Sequence, residues 1–151
     1  MNDDAGWTLT LHEDGGVPAA DALIVDAGLG VANEAAAPLH QVRRLASFAR
    51  ASDGTVIGGA IGRTWGRCCE LQQLWVEPTW RRQGLGARLV RAFEALAQQR
   101  GCRTYYLETF SFQAPRLYEA LGYRTQLAID GFAPGISKFV MVRELALADA
   151  P

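Results

Sequence analysis

Leu71-Gln72-Gln73-Leu74-Trp75-Val76, then Glu77-Pro78, then Arg81-Arg82-Gln83-Gly84-Leu85-Gly86 is the stretch whose reading decides the fold. Its first part is apolar and aromatic enough to predict a buried strand, ended by Pro78. Its last part opens a segment in which Leu85, Leu89, Val90, Phe93, Leu96 and Ala97 recur at helical spacing until Gly101 stops it. Two glycines and two arginines therefore stand at a strand-to-helix junction. Glycine lets the backbone come close to a ligand, and the first N–H groups of a helix have no partner within it. The junction predicts a site for an anionic group such as a pyrophosphate. A tight turn with close helix packing is the other reading of the same glycines.

Upstream, Trp7-Thr8-Leu9-Thr10-Leu11 alternates in type and predicts a short first strand. Pro18 opens a segment with Ala19, Ala22, Leu23, Val25, Asp26 and Leu29 that fits an amphipathic helix, weakened in its second half by Gly28 and Gly30. Asn33 to Pro38 reads as loop. Val42 to Arg50 fits helix or strand by periodicity, but the turn signal Ser52-Asp53-Gly54 and the β-branched run Thr55 to Ile61 make it half of a hairpin. Gly66-Arg67 marks the next turn, and Cys68 to Glu77 the next strand.

Downstream, Thr104 to Phe110 predicts a strand rich in aromatics, and Ala114-Pro115 begins a short helix carrying Leu117, Tyr118 and Leu121, closed by Gly122. Arg124 to Ile129 and Ser137 to Glu144 predict two final strands joined across the turn-prone Asp130-Gly131 and Pro134-Gly135. The predicted order is β-α-β-β-β-α-β-α-β-β. It describes an α/β (α+β) fold on one mixed sheet of about six to seven strands, in a single domain over residues 1–151.

The 151 residues are 49% hydrophobic and 21% charged, with a formal net charge of −1. That balance gives no electrostatic reason to expect nucleic acid or an anionic membrane as partner. The start Met1-Asn2-Asp3-Asp4 is acidic rather than basic, and no apolar run reaches the roughly 20 residues that span a bilayer. A cytoplasmic protein is the expectation. The three cysteines include the adjacent pair Cys68-Cys69 and no Cys-x-x-Cys, so neither a disulfide framework nor a metal site is expected.

The strand ending Leu74-Trp75-Val76-Glu77-Pro78, followed by Arg-x-x-Gly-x-Gly and an amphipathic helix, resembles the GNAT superfamily of acyl-CoA-dependent N-acetyltransferases. Leu117-Tyr118-Glu119-Ala120-Leu121-Gly122-Tyr123 is similar to a second element of that family, Leu-Tyr-x-x-x-Gly-Phe. The resemblance implies acetyl-CoA as co-substrate, bound where two neighbouring parallel strands splay apart. It implies that the backbone of Leu74, Trp75 and Val76 pairs with the pantetheine arm. The N–H groups of Gln83, Gly84, Leu85, Gly86 and Ala87 would hold the pyrophosphate, helped by Arg81, Arg82 or Arg88. Homodimer formation through the final strands is left open by the same resemblance.

Acetyl transfer to an amine needs a neutral nucleophile, a polarised carbonyl and a protonated leaving thiol. Tyr118 matches the position of the family's general acid; its other reading is a core tyrosine beside Leu117 and Leu121. Glu70 lies eleven residues before Arg81, a spacing similar to that of the base glutamate in histone-acetylating members of the superfamily, which makes it the first candidate base. Strand alternation would place it on the face of Gln72 and Leu74 unless a bulge near Trp75 intervenes. A solvated strand-end glutamate, with ordered water as base, is the alternative. Glu77 and Glu108 are weaker candidates, and Glu108, mid-strand among aromatics, should have a partner or face the cleft. Cys102, His12 and His40 lie too far apart in sequence to suggest a thiol nucleophile. Trp65, Phe112 and Phe132 belong to the core or line an acceptor pocket beside the connection from Gly131 to Lys138. In that connection Ile136 stands where a related subgroup often has histidine.

The acceptor expected is a primary amine of a small molecule or peptide, attacked directly. A non-catalytic acyl-CoA-binding sensor is the second reading. A mononucleotide site at Gly84 and Gly86 is a distant third, since the chain lacks a P-loop ending and a Gly-x-Gly-x-x-Gly.

Overall fold

The computed structural model describes residues 6–146. The chain forms two compact units, Met1–Leu39 and His40–Pro151. In the first, the helix α1 runs over Ala19–Ala36 behind Pro18, so Asn33 to Ala36, expected as loop, are helical. Four alanines in the second half of the helix, Ala27, Ala32, Ala35 and Ala36, offset Gly28 and Gly30, alanine being the best helix former. None of its residues is buried, and Leu23, Ile24 and Val25 are exposed, so the amphipathic expectation fails: the apolar side chains do not keep to one stripe. Trp7 to Leu11 forms no strand; the alternation is there, but among the described residues no backbone pairs with it to complete a ladder.

The second unit is a six-stranded sheet in the order β1-β2-β3-β4-β6-β5, with β1 Arg43–Arg50, β2 Val56–Trp65, β3 Cys68–Val76, β4 Thr104–Phe110, β5 Arg124–Ala133 and β6 Ile136–Glu144. All neighbours are antiparallel except β3 and β4, which α2 (Leu85–Gln99) connects. A parallel pair needs such a crossover. The short helix α3 (Pro115–Ala120) follows β4. Asp130-Gly131 lies inside β5 rather than in a turn, and the hairpin turns at Pro134-Gly135, where Gly135 has φ +73°. The register shift between Asp130 and Ala133 absorbs Gly131, whose φ is +95°, as an irregularity within the strand.

The core lies between the sheet and α2. Leu89, Val90, Phe93 and Ala97 of α2 pack with Leu45, Ala60, Cys69, Leu71, Tyr105, Leu107 and Met141. Small residues on β2 let the helix come close: a Cβ at Gly58 would stand 3.0 Å from Leu89, and one at Gly62 would stand 2.8 Å from Phe93. Ser47 donates to the Leu89 carbonyl at 2.8 Å, and Arg100 at the helix end donates to the carbonyls of Arg43 and Arg44.

Gly62 has a second duty. Ile61 pairs with Gln73 and Gly62 with Leu71, so Gln72 is an extra residue, a β-bulge in β3. The bulge brings the Glu70 carbonyl to 1.9 Å from where a Cβ of residue 62 would be. Gly62→Ala forces backbone against backbone, and should cost about 3 kcal/mol or more, at the upper end of overpacking effects. Denaturant midpoints at unchanged m-value would measure it; a loss under about 1 kcal/mol would mean that the bulge yields easily.

Candidate active site

The parallel ladder between β3 and β4 runs from Cys68–Thr104 to Leu71–Leu107 and stops. Both strands continue, β3 to Val76 and β4 to Phe110, so they diverge from that point. A cleft of about 1110 Å³ occupies the gap. Leu74, Trp75 and Val76 line it from β3; Arg81, Arg82, Gly84, Leu85, Gly86 and Ala87 line it from the loop and the start of α2; Tyr118 lines it from α3. Gln83 and Arg88, expected at the site, do not border the cleft by their side chains: Gln83 donates to the Thr79 carbonyl at 3.4 Å, and Arg88 is exposed.

The loop between β3 and α2 leaves a run of backbone N–H groups without partners among the described residues. Pro78–Trp80 forms one 3-10 turn whose start is capped by Glu77, which accepts from the Thr79 N–H at 3.0 Å; Glu77 is thereby engaged in structure. Arg82 (φ +59°) and Gly84 (φ +75°) then both take the left-handed conformation, Arg82 being the one non-glycine among the described residues to do so. The first helical bond runs from the Arg88 N–H to the Gly84 carbonyl. Among the described residues the backbone N–H groups from Arg82 to Ala87 donate to nothing. Successive unpaired N–H groups around left-handed residues at a positive helix end form a nest for an anion. Arg81 donates from Nε to the Val76 carbonyl at 2.8 Å, tying the loop to the end of β3.

Tyr118 is 7% exposed and meets Tyr123 edge-on at 6.0 Å between ring centroids. Its hydroxyl bonds to no described residue, yet no buried side-chain polar atom there lacks a partner, so the hydroxyl opens onto the cleft. Burial pushes its phenol up to about 12, so it carries its proton at neutral pH. Burial also raises the thiols of Cys102 and of Cys69, the latter to about 12, and neither residue lines the cleft. Such thiols are poor nucleophiles because the thiolate is the reactive form.

Glu70 and Glu108 occupy the face of the sheet away from α2. The bulge at Gln72 rather than Trp75 breaks the alternation, so Leu74 and Val76 share the core side with Leu71, and Glu70 lies opposite them. Glu70 accepts from Arg63, its cross-strand partner, at 2.6 Å, and lines a smaller adjoining cavity of about 310 Å³. Glu108 borders both cavities and pairs with Lys138 at 3.2 Å, which supplies the partner its position required. Trp65 is on the surface. Phe112 stacks on Phe110 and lines the cleft, and Phe132 meets Phe110 edge-on.

Gln113 lines both cavities, and the spacing did not single it out. Its Oε1 accepts from the Phe110 N–H at 2.8 Å and the Thr109 hydroxyl at 3.2 Å, closing the end of β4 at the cleft wall. The sequence signal, a glutamine three residues past a strand end, is too common to read alone.

A model of the family described as Acetyltransferase (GNAT) family matches residues 25–123. The blasticidin-S acetyltransferase of Streptomyces morookaense is 36% identical over 112 residues, covering 72% of this chain and 82% of the relative. The crystal structure of an acetyltransferase from Bacillus cereus ATCC 14579 superposes with a TM-score of 0.77 at 24% identity, covering 89% and 98% of the two chains. A chain from the structure of the NatC complex bound to Gag peptide and CoA superposes at 0.60 and 23% identity, covering 67% and 71%.

The two left-handed residues separate conformation from charge. Gly84→Ala should cost about 1 kcal/mol, because its Cβ meets nothing within 4 Å and only the φ penalises it. Arg82→Gly should hold or raise the melting temperature by relieving a similar strain while weakening pyrophosphate binding by loss of a cation. Thermal unfolding and calorimetric titration with inorganic pyrophosphate would show whether the two effects divide in this way.

Proposed function

The chain belongs to the GNAT acetyltransferase family and is an acyltransferase enzyme, and we propose that it moves an acetyl group from acetyl-CoA to a primary amine by direct attack. The observation that carries the reading is the paired arrangement at the splay: unpaired N–H groups from Arg82 to Ala87 at one end and the Tyr118 hydroxyl opening onto the same cleft. The family match crosses the boundary between the two compact units, which supports treating residues 1–151 as one N-acetyltransferase domain. The relative named for blasticidin-S and the neighbour solved with a peptide and CoA support a small molecule or a peptide as acceptor.

The nest and Arg82 would take the pyrophosphate, with Arg81 fixing the loop. The edge of β3 from Gln72 to Val76, unpaired on the β4 side, would take the arm as an added strand. That edge covers about 13 Å at the usual rise per residue, ending at the vertex beside Glu108. Acetyl-CoA supplies an activated acyl carbon there. Tyr118 reaches the cleft from the α2 side of the sheet and donates to the sulfur as its charge develops. A phenol near 12 and an ordinary thiol near 8.5 differ by about 5 kcal/mol for full proton transfer. The same burial that raises the phenol raises the thiol, which narrows that gap.

We place the base at Glu108, which touches both cavities, in preference to Glu70, which is committed to Arg63. The buried, raised thiols support direct attack over an acyl-cysteine route.

Three measurements test the reading. Coenzyme A should raise the melting temperature where ATP and NAD do not; equal shifts with all three would point to a general phosphate site. Tyr118→Phe should lower kcat about 100-fold with little change in KM, the lower end of general acid contributions. Because the protonated phenol is the working form and its proton is held up to about 12, kcat should show no descending limb below about pH 10. A fall between about pH 8 and 9 that disappears in Tyr118→Phe would show an ionising group that burial has not raised.

A further inference from the structure

Of the 15 lysine and arginine residues in the chain, Lys138 alone is lysine. It opens neither a turn nor a helix end. It lies on β6 opposite Phe110 and turns its ammonium to the face of the sheet that carries Glu108. Nζ stands 3.2 Å from Glu108 Oε2, 5.0 Å from the centroid of the Phe110 ring and 5.5 Å from that of Phe132. Two aromatic faces and a carboxylate hold an alkylammonium in place there.

That place adjoins the reacting end of the cleft. The last β3–β4 pair is Leu71–Leu107, so Gln72 and Glu108 are the first residues past the vertex on their strands. Lys138 lines the adjoining cavity, which shares Leu71, Gln72, Glu108, Thr109 and Gln113 with the large cleft. The ammonium therefore sits one carboxylate away from where the arm's distal end would arrive, on the side of the sheet opposite Tyr118.

We propose that Lys138 is an acetyl acceptor within its own chain, so that the protein acetylates itself at this one lysine when no other amine occupies the cavity. The inference rests on the cleft binding acetyl-CoA as proposed above. Glu108 takes a proton from the ammonium, and the neutral amine attacks the thioester carbonyl. The C–N bond forms, the C–S bond breaks with its electron pair going to sulfur, and the second amine proton ends on the thiol. One proton is released to solvent for each amide made. The modified side chain loses its charge, so Glu108 loses its partner, and the cavity gains an uncharged amide between Phe110 and Phe132.

The test uses the full chain with acetyl-CoA and no added amine, followed by intact mass and peptide mapping. The expected result is one acetyl group per chain, resistant to hydroxylamine, on the peptide containing Lys138. Its first-order rate should be independent of protein concentration and should rise with pH, since the neutral amine attacks. Lys138→Arg keeps a cation over the rings but removes the amine, and should gain nothing at that peptide. A rate proportional to protein concentration would overturn transfer within the chain, and acetylation mapping elsewhere to the same extent in Lys138→Arg would overturn the assignment. An unmodified wild-type chain that still acetylates an added amine would sink this inference alone. An unmodified chain whose melting temperature acetyl-CoA does not shift, and which acetylates no amine, would sink the reading of the cleft with it.

Discussion

The end of the β3–β4 ladder at Leu71–Leu107 is the constraint on which the rest of the molecule depends. A sheet that kept pairing would be continuous, with two faces that never meet. Once the strands diverge, groups from opposite faces open into a common space: Tyr118 from the side of α2, Glu108 from the other. The bulge at Gln72 sits at the first residue past the last pair, where added twist turns β3 away from β4. Gly62 makes the bulge sterically possible, since the Glu70 carbonyl occupies the space of any side chain there. A missing Cβ on β2 is thus linked, through one extra residue on β3, to the opening of the cleft.

The position of Tyr118 depends on a second, buried arrangement. Glu94 on α2 accepts from the Tyr123 hydroxyl at 2.6 Å and from Arg143 on β6, also at 2.6 Å. The negative charge of Glu94 raises the Tyr123 phenol further above its ordinary value than burial does alone. Arg143 also lies over the Tyr105 ring. A buried carboxylate with both oxygens engaged contributes less net stability than its short distances suggest, because desolvation offsets the attraction. Its consequence is geometric. It joins α2, β6 and the turn after α3, and Tyr123 in turn packs edge-on against Tyr118. Tyr118 is held in register with the loop from Arg81 to Gly86 because both are tied to α2.

Much of this was legible in the chain. The glycine-arginine junction, the helix from Leu85 and the strand at Thr104 are where expected, because local signals and tertiary demands agree there. Pro115 at the start of α3 and Gly122 at φ +96° just past it bracket that helix as their chemistry predicts. The misses share a cause. Trp7 to Leu11 has a strand's alternation but no partner among the described residues, and pairing is a tertiary fact. The bulge at Gln72 leaves no mark on composition, so the face of Glu70 could not be counted correctly across it. Whether a carboxylate is available depends on its neighbour, and Arg63 on Glu70 and Lys138 on Glu108 are set by register rather than by nearness in sequence.

The two cation partners also explain why similar glutamates on one face have different prospects. Arg63 lies directly across the ladder from Glu70, so that contact is short and built into the pairing of β2 with β3. Guanidinium stays charged at any working pH and does not release a carboxylate by losing a proton. Lys138 is a residue diagonal to Glu108, at a longer 3.2 Å, and Glu108 keeps 57% of its side chain exposed. An ammonium is a point charge that an incoming ammonium can replace without changing the charge balance of the cavity. Of the two carboxylates on this face, Glu108 is therefore the one whose resident partner is itself an amine, which is why the proposed base is placed there.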